Sequence, residues 1–263
     1  MIPYRYFNST DGKRALLVPI TLVVNLVTTS LFAQSIINTS AISHDLDSTL
    51  SVVVEAGGDF SFGNSNVQDL NLHFGVGKSL TEDASIWIVG GGNRLASQRD
   101  IIQSLGYIHT RLNYEIRDRL TLNGYLQVQS NSVLEIKSRR LLGVNLDFDF
   151  TTDKTLTAAL GAFAEWESYT QDVPKKTMRG NFIGIGEYTW GTNEIVGFMY
   201  FQPSFHQWRD YRCIGELSIR KQISQYLQLT VNGVVRYDSF PHQSLAPLDL
   251  GVTTALRYEF HKK

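Results

Sequence analysis

The chain has 263 residues, 43% of them hydrophobic, with 24 Lys and Arg against 25 Asp and Glu and a formal net charge of −1. So even a balance argues against a nucleic-acid partner, which needs a basic excess. One cysteine, Cys213, excludes an intrachain disulfide and a thiolate metal site, so stability has to come from another source.

The chain opens with Arg5, Lys13 and Arg14, then an apolar run over 15–27, then polar residues and the sequence Leu31-Phe32-Ala33-Gln34. These are the three regions of an export signal over 1–33, with cleavage expected between Ala33 and Gln34. The apolar run is shorter than the roughly 20 residues a membrane helix needs, and no later stretch approaches that length. The polar segment 34–48 reads as a periplasmic lead-in.

From residue 49 the hydrophobic period becomes two, the mark of strands. Twelve segments follow: 49–62, 67–78, 84–95, 101–115, 120–129, 137–150, 155–169, 178–190, 194–205, 210–222, 225–237 and 248–260. In the first, Leu50, Val52, Val54, Ala56, Phe60 and Phe62 share one face, with Ser51, Glu55, Asp59 and Ser61 on the other. Gly63-Asn64-Ser65-Asn66 then makes a tight turn. The third segment carries Gly90, Gly91 and Gly92, read as a sharp bend for barrel closure. In the sixth, Leu142, Val144, Leu146, Phe148 and Phe150 alternate with Gly143, Asn145, Asp147 and Asp149. Two aspartates on one face are costly in a dry core and reasonable in a wet lumen. The segment 170–177 reads as an exposed loop. The last strand ends its apolar face on Leu256, Tyr258 and Phe260, the pattern expected of a C-terminal barrel-assembly signal, with 261–263 as a tail.

The strands are longer than the five or six residues usual in a soluble sheet. Short turns follow the even strands, and longer polar connections follow the odd ones. Together these predict an all-β fold: a single transmembrane, antiparallel, up-and-down barrel of about twelve strands over 49–260, in a bacterial outer membrane. An even count places both termini on the periplasmic side. Tyr114, Phe148, Phe150, Tyr188, Trp190, Tyr258 and Phe260 at one level, and Phe60, Phe62, Trp166 and Tyr237 at the other, read as two interfacial aromatic girdles. The expected partners are outer-membrane lipid and, during biogenesis, the barrel-assembly machinery.

The segment VEAGGDFSFGNSNVQDLNLHFG, beginning near Val53 and reaching Gly75, resembles the opening of the DUF481 family of outer-membrane barrels: a strand, a G-N-[ST] turn and a second alternating strand. The turn at Arg117-Asp118-Arg119, the strand over 125–129, and Arg139, Arg140 and Gly143 within 138–148 fit the same pattern. The resemblance covers about residues 50–260. It implies a location and a fold, and no reaction.

The inward positions predicted to line the lumen are Glu55, Asp59, His73, Arg111, Glu115, Asp147, Glu165, Glu187, Arg212, Glu216, Arg236 and Arg257. One reading is a structural or accessory barrel whose polar lumen is filled by paired charges. Another is a narrow channel in which charge rings select a small solute. A third is a lipid-modifying enzyme. His44, His73, His109, His206, His242 and His261 are scattered, no G-x-S-x-G turn occurs, and Glu165 and Glu167 lack a placed catalytic partner. No catalytic residue, metal site or cofactor is expected.

Overall fold

The computed structural model describes residues 50–61, 67–97, 100–132, 134–169, 173–242 and 245–262, with the backbone alone at 59–61, 67, 100–102 and 260–262. The expected export signal, the Ala33–Gln34 junction, the lead-in over 34–48 and the 63–66 turn lie outside the described residues.

Twelve strands form: β1 (Leu50–Ser61), β2 (Val67–Ser79), β3 (Ala84–Ser97), β4 (Asp100–Arg117), β5 (Leu120–Asn131), β6 (Ile136–Asp149), β7 (Leu156–Tyr169), β8 (Lys175–Trp190), β9 (Asn193–Pro203), β10 (Tyr211–Ser224), β11 (Leu227–Asp238) and β12 (Leu248–Lys262). Each pairs antiparallel with its neighbour in sequence, and β12 returns to β1, closing the barrel. Along the paired residues closure removes the sheet edge and satisfies the backbone groups from strand to strand, the condition for crossing hydrocarbon. At the seam, residues 50–56 of β1 pair with 256–262 of β12, so β12 runs two residues past Phe260.

The two-residue period turns one set of side chains outward. Along β5 and β6 the outer set includes Leu122, Leu126, Val128, Leu142 and Val144, each 44–57% exposed, while Tyr125, Gln127, Asn145 and Arg139 between them are buried. An uncovered apolar row of this kind is what the lipid-facing wall of a membrane barrel carries. Short turns join the strands at one end, with Arg119, Lys154 and Gly191 at positive φ, the backbone that tight turns require. The turn-side aromatic girdle carries Tyr114, Phe148, Phe150, Tyr188, Trp190 and Tyr258 on the outer wall. Tyr188 stacks on Trp190 at 5.8 Å, and Tyr226 packs against Tyr258 at 6.0 Å. At the loop end Trp166 is exposed and Tyr237 is half-buried against Tyr211.

One sequence reading changes. The exposed loop expected over 170–177 ends earlier: Lys175 and Lys176 enter β8, paired with Glu167 and Trp166. The strand β3 continues through its three glycines, and they admit neighbours. A Cβ at Gly90 would strike the Phe74 ring, and one at Gly91 would lie 2.5 Å from His73 Nδ1. Glycine in a strand serves close approach as readily as bending, and here the aromatic rings of β2 take the space.

Candidate functional site

The inward side chains stack in three layers along the barrel. The middle layer holds three apolar clusters among polar side chains. Val53, Trp87, Val89 and Tyr107 form one buried cluster across β1, β3 and β4. Tyr125, Leu141 and Phe163 form a second cluster on β5–β7. Ala159, Ile183, Val196, Phe198, Tyr200 and Ile214 form a third on β7–β10. Val89 is 0% exposed and Val196 1%, so the lumen is filled with side chains at this height. Gly143 helps: a Cβ there would sit 2.5 Å from Tyr125 Oη, so the glycine lets that ring cross inward.

Charged groups interleave with this layer. His73 Nδ1 is 3.0 Å from Tyr107 Oη, and His109 Nδ1 is 3.0 Å from Gln127 Oε1. Arg111 lies within electrostatic reach of Asp147, and Arg236 of Glu216 and Asp249. Glu55 stands in register between His73 of β2 and Arg257 of β12. Glu55, His73, Arg111, Asp147, Glu216 and Arg236 are half-buried.

The loop-side layer is a buried ionic network centred on Glu165, which is 0% exposed. One of its oxygens meets both Arg139 Nη2 of β6 and Arg212 Nη1 of β10, the latter at 2.8 Å; the other accepts from Arg179 Nε of β8 at 3.1 Å. Arg212 also reaches Glu167 at 3.2 Å and Asp238 at 3.0 Å. Arg179 reaches Asp210 at 2.9 Å, and Lys175 lies 3.6 Å from that carboxylate. Arg212 on β10 and Glu165 on β7 belong to strands that are not neighbours, so this bond spans the inside of the barrel. Tyr169 donates to Glu167 at 3.1 Å and stacks on His242 at 4.1 Å. Leu134, Ile136 and Leu245 pack beside it, so two loops fold over this end.

The turn-side layer is smaller. Arg220 pairs with Glu194 at 3.2 Å, Arg257 with Glu259 at 3.3 Å and Lys154 with Glu115 at 3.7 Å. Glu187 is half-buried near the same end.

Of the residues expected to line the lumen, the structure therefore gathers Glu165 and Arg212 into one network and spreads the others over the middle and turn-side layers. The backbone of Asp59 faces Asp69 of β2. The inner face is mixed: Val, Ile, Phe and Trp occupy the inward phase in three clusters, and buried polar side chains such as Asn123, Gln127, Asn145, Asn181 and Gln202 lie among them. Arg139, Arg179, Glu167, Asp210 and Asp238 complete the loop-side network and were absent from the sequence-derived set. Arg139 shares the phase of Gly143 and Asn145, so extending that alternation by two turns of the pleat would have found it. Arg179 shares the phase of Glu187. Asp210 and Asp238 sit at strand ends, where the period gives no guidance. Among the described residues, no three His, Cys, Asp or Glu side chains converge as a metal site would require.

The family model described as "Protein of unknown function, DUF481" matches residues 54–260. The solved translocator domain of the autotransporter NalP from Neisseria meningitidis is similar in fold, with a TM-score of 0.53 and 11% identity over 94% of this chain and 98% of that one. Weaker likenesses are the KdgM porin (TM-score 0.47, 9% identity, 81% of this chain and 99% of that one) and the NanC porin (0.47, 12%, 81% and 99%). No curated protein matches the sequence.

Proposed function

We propose, from the premise that this chain belongs to the DUF481 family of proteins of unknown function, that it is an outer-membrane barrel with a closed lumen and a structural or accessory role rather than a catalytic one. The observation that carries the reading is the set of apolar clusters in the middle layer, in which Val53, Trp87, Val89, Phe163, Val196, Phe198 and Ile214 are all buried within the barrel. A solute-selective pore needs polar groups at its narrowest level, and apolar side chains packed inside the barrel would keep water out. The loop-side network adds a second closure above it. Export through the signal over 1–33 and insertion by the barrel-assembly machinery, guided by Leu256, Tyr258 and Phe260, belong to the same reading.

A second reading is a narrow channel. Half-buried Glu55, Arg111, Glu216 and Arg236 beside the apolar clusters favour it, because charges at that height are useful to a passing ion. A lipid-modifying enzyme has less support. His73 meets Tyr107, His109 meets Gln127, and His242 meets Tyr169 and Glu135.

Planar-bilayer recording of the heat-modifiable protein decides between the first two. The closed barrel gives no unitary steps. Discrete steps whose ion selectivity changes in Arg111→Ala or Arg236→Ala would establish the channel instead.

A further inference from the structure

The outer wall carries charge of one sign. On the outward phase of the described strands, Lys78, Arg94, Arg140, Lys176 and Lys221 are exposed cations, and no described carboxylate shares that phase. Acidic side chains are plentiful in the chain, but the barrel turns them inward or places them in its connections. Two of these cations share one patch. Arg140 of β6 is in register with Trp166 of β7, and Trp166 with Lys176 of β8. The row lies toward the loop end of all three strands. Lys176 Nζ lies 5.4 Å from the centroid of the Trp166 ring, a cation–π contact that fixes the ammonium on the wall. Below the row the outer face becomes apolar, through Leu142 and Met178, each over 50% exposed.

We infer that Arg140, Trp166 and Lys176 form a binding site for a phosphate-bearing lipid headgroup in the loop-side leaflet. The inference rests on the membrane placement in the proposed function and not on whether the lumen is closed. The indole sits where aromatic side chains anchor at the edge of the hydrocarbon. Arg140 offers the planar fork that grips phosphate with two bonds, and Lys176 a point charge. The two Cα positions are two strand spacings apart, about 10 Å. That separation suits a headgroup with two phosphates better than a single anion. Among the described residues, no carboxylate forms an ion pair with either cation, so both charges face the lipid without internal neutralisation.

The test uses the full protein, extracted from membranes in a neutral detergent and shown to be folded by heat-modifiable migration. Native mass spectrometry measures its binding to diphosphoryl lipid A, to monophosphoryl lipid A and to the dephosphorylated lipid. Affinity is expected to fall in that order, and inorganic phosphate should fail to displace the bound lipid. The Arg140→Gln, Lys176→Gln pair should weaken diphosphoryl binding by about fivefold for each cation removed, whereas Arg140→Lys with Lys176→Arg should retain it. Equal binding of phosphorylated and dephosphorylated lipid overturns the site, and so does displacement by inorganic phosphate, which would mark a free-anion site. Should the double variant not fold, the comparison of the three lipids on the unaltered protein decides by itself. Headgroup preference in a barrel that conducts would support the site while overturning the closed lumen; loss of preference in a silent barrel would do the reverse.

Discussion

Glu165 holds three guanidinium groups from β6, β8 and β10 on one fully buried carboxylate. Removing one member of a buried ionic set leaves the others uncompensated, which costs about 3–5 kcal/mol. Glu165→Gln keeps the shape and removes the charge, so the heat-modifiable band should convert at a lower temperature; an unchanged midpoint would mean that water reaches the arginines. Phe163 fills the middle layer at 2% exposure. Phe163→Ala should cost about 3–5 kcal/mol through lost contact and the space left behind, and it is the substitution most apt to give the barrel measurable conductance. In the exposed turn between β6 and β7, hydrogen bonds from Thr151 and Thr155 hold the Asp153 carboxyl below its ordinary range. The sign follows from the depression. The contribution of Asp153 is fully present above the unfolded-state value and is lost as pH falls through the lower folded value. In an NMR titration the Asp153 carboxyl should therefore stay ionised to lower pH than a free aspartate, and Thr155→Val should move it back toward the ordinary value.

Between strands, packing is set by which residue has no side chain. Gly143 of β6 faces Tyr125 of β5 in register, and the ring occupies the place a Cβ would take. Gly143→Val should push Tyr125 out of the middle layer at a cost of about 1–3 kcal/mol, read as a lower denaturant midpoint with the barrel still forming. All twelve strands were legible in the sequence, most to within three residues at each end, because the outward phase faces one uniform solvent and is apolar along almost every strand. The inward phase was legible only in part. Lumen residues face one another rather than a solvent, so their chemistry follows local pairing. On β9, Val196, Phe198 and Tyr200 point inward and Met199 and Phe201 outward, so both phases are apolar and alternation of polarity vanishes. The glycines of β3 show a related limit: what enters the space beside Gly90 and Gly91 is decided by β2, which a reading of β3 alone cannot contain.

For the molecule as a whole, closure joins the two ends of the chain, and this joint differs from the other eleven. The β1–β2 register runs the full length of β1, from 50 to 61, whereas the pairing of β1 with β12 stops at Ala56 and Leu256. Toward the loop end residues 57–61 of β1 pair with β2 alone. Backbone amides at 57–61 should accordingly exchange with deuterium faster than those at 50–56; equal protection across β1 would show that the ladder continues. A cylinder held this way has a built-in place to part. Force or heat applied to the wall would run along one line, from the outer rim toward the turns, as a zip opens from its free end. The same line in reverse is the last stretch to close when the barrel forms. Even a wall that is otherwise uniform around its circumference thus has a direction, given to it by the meeting of its first strand with its last.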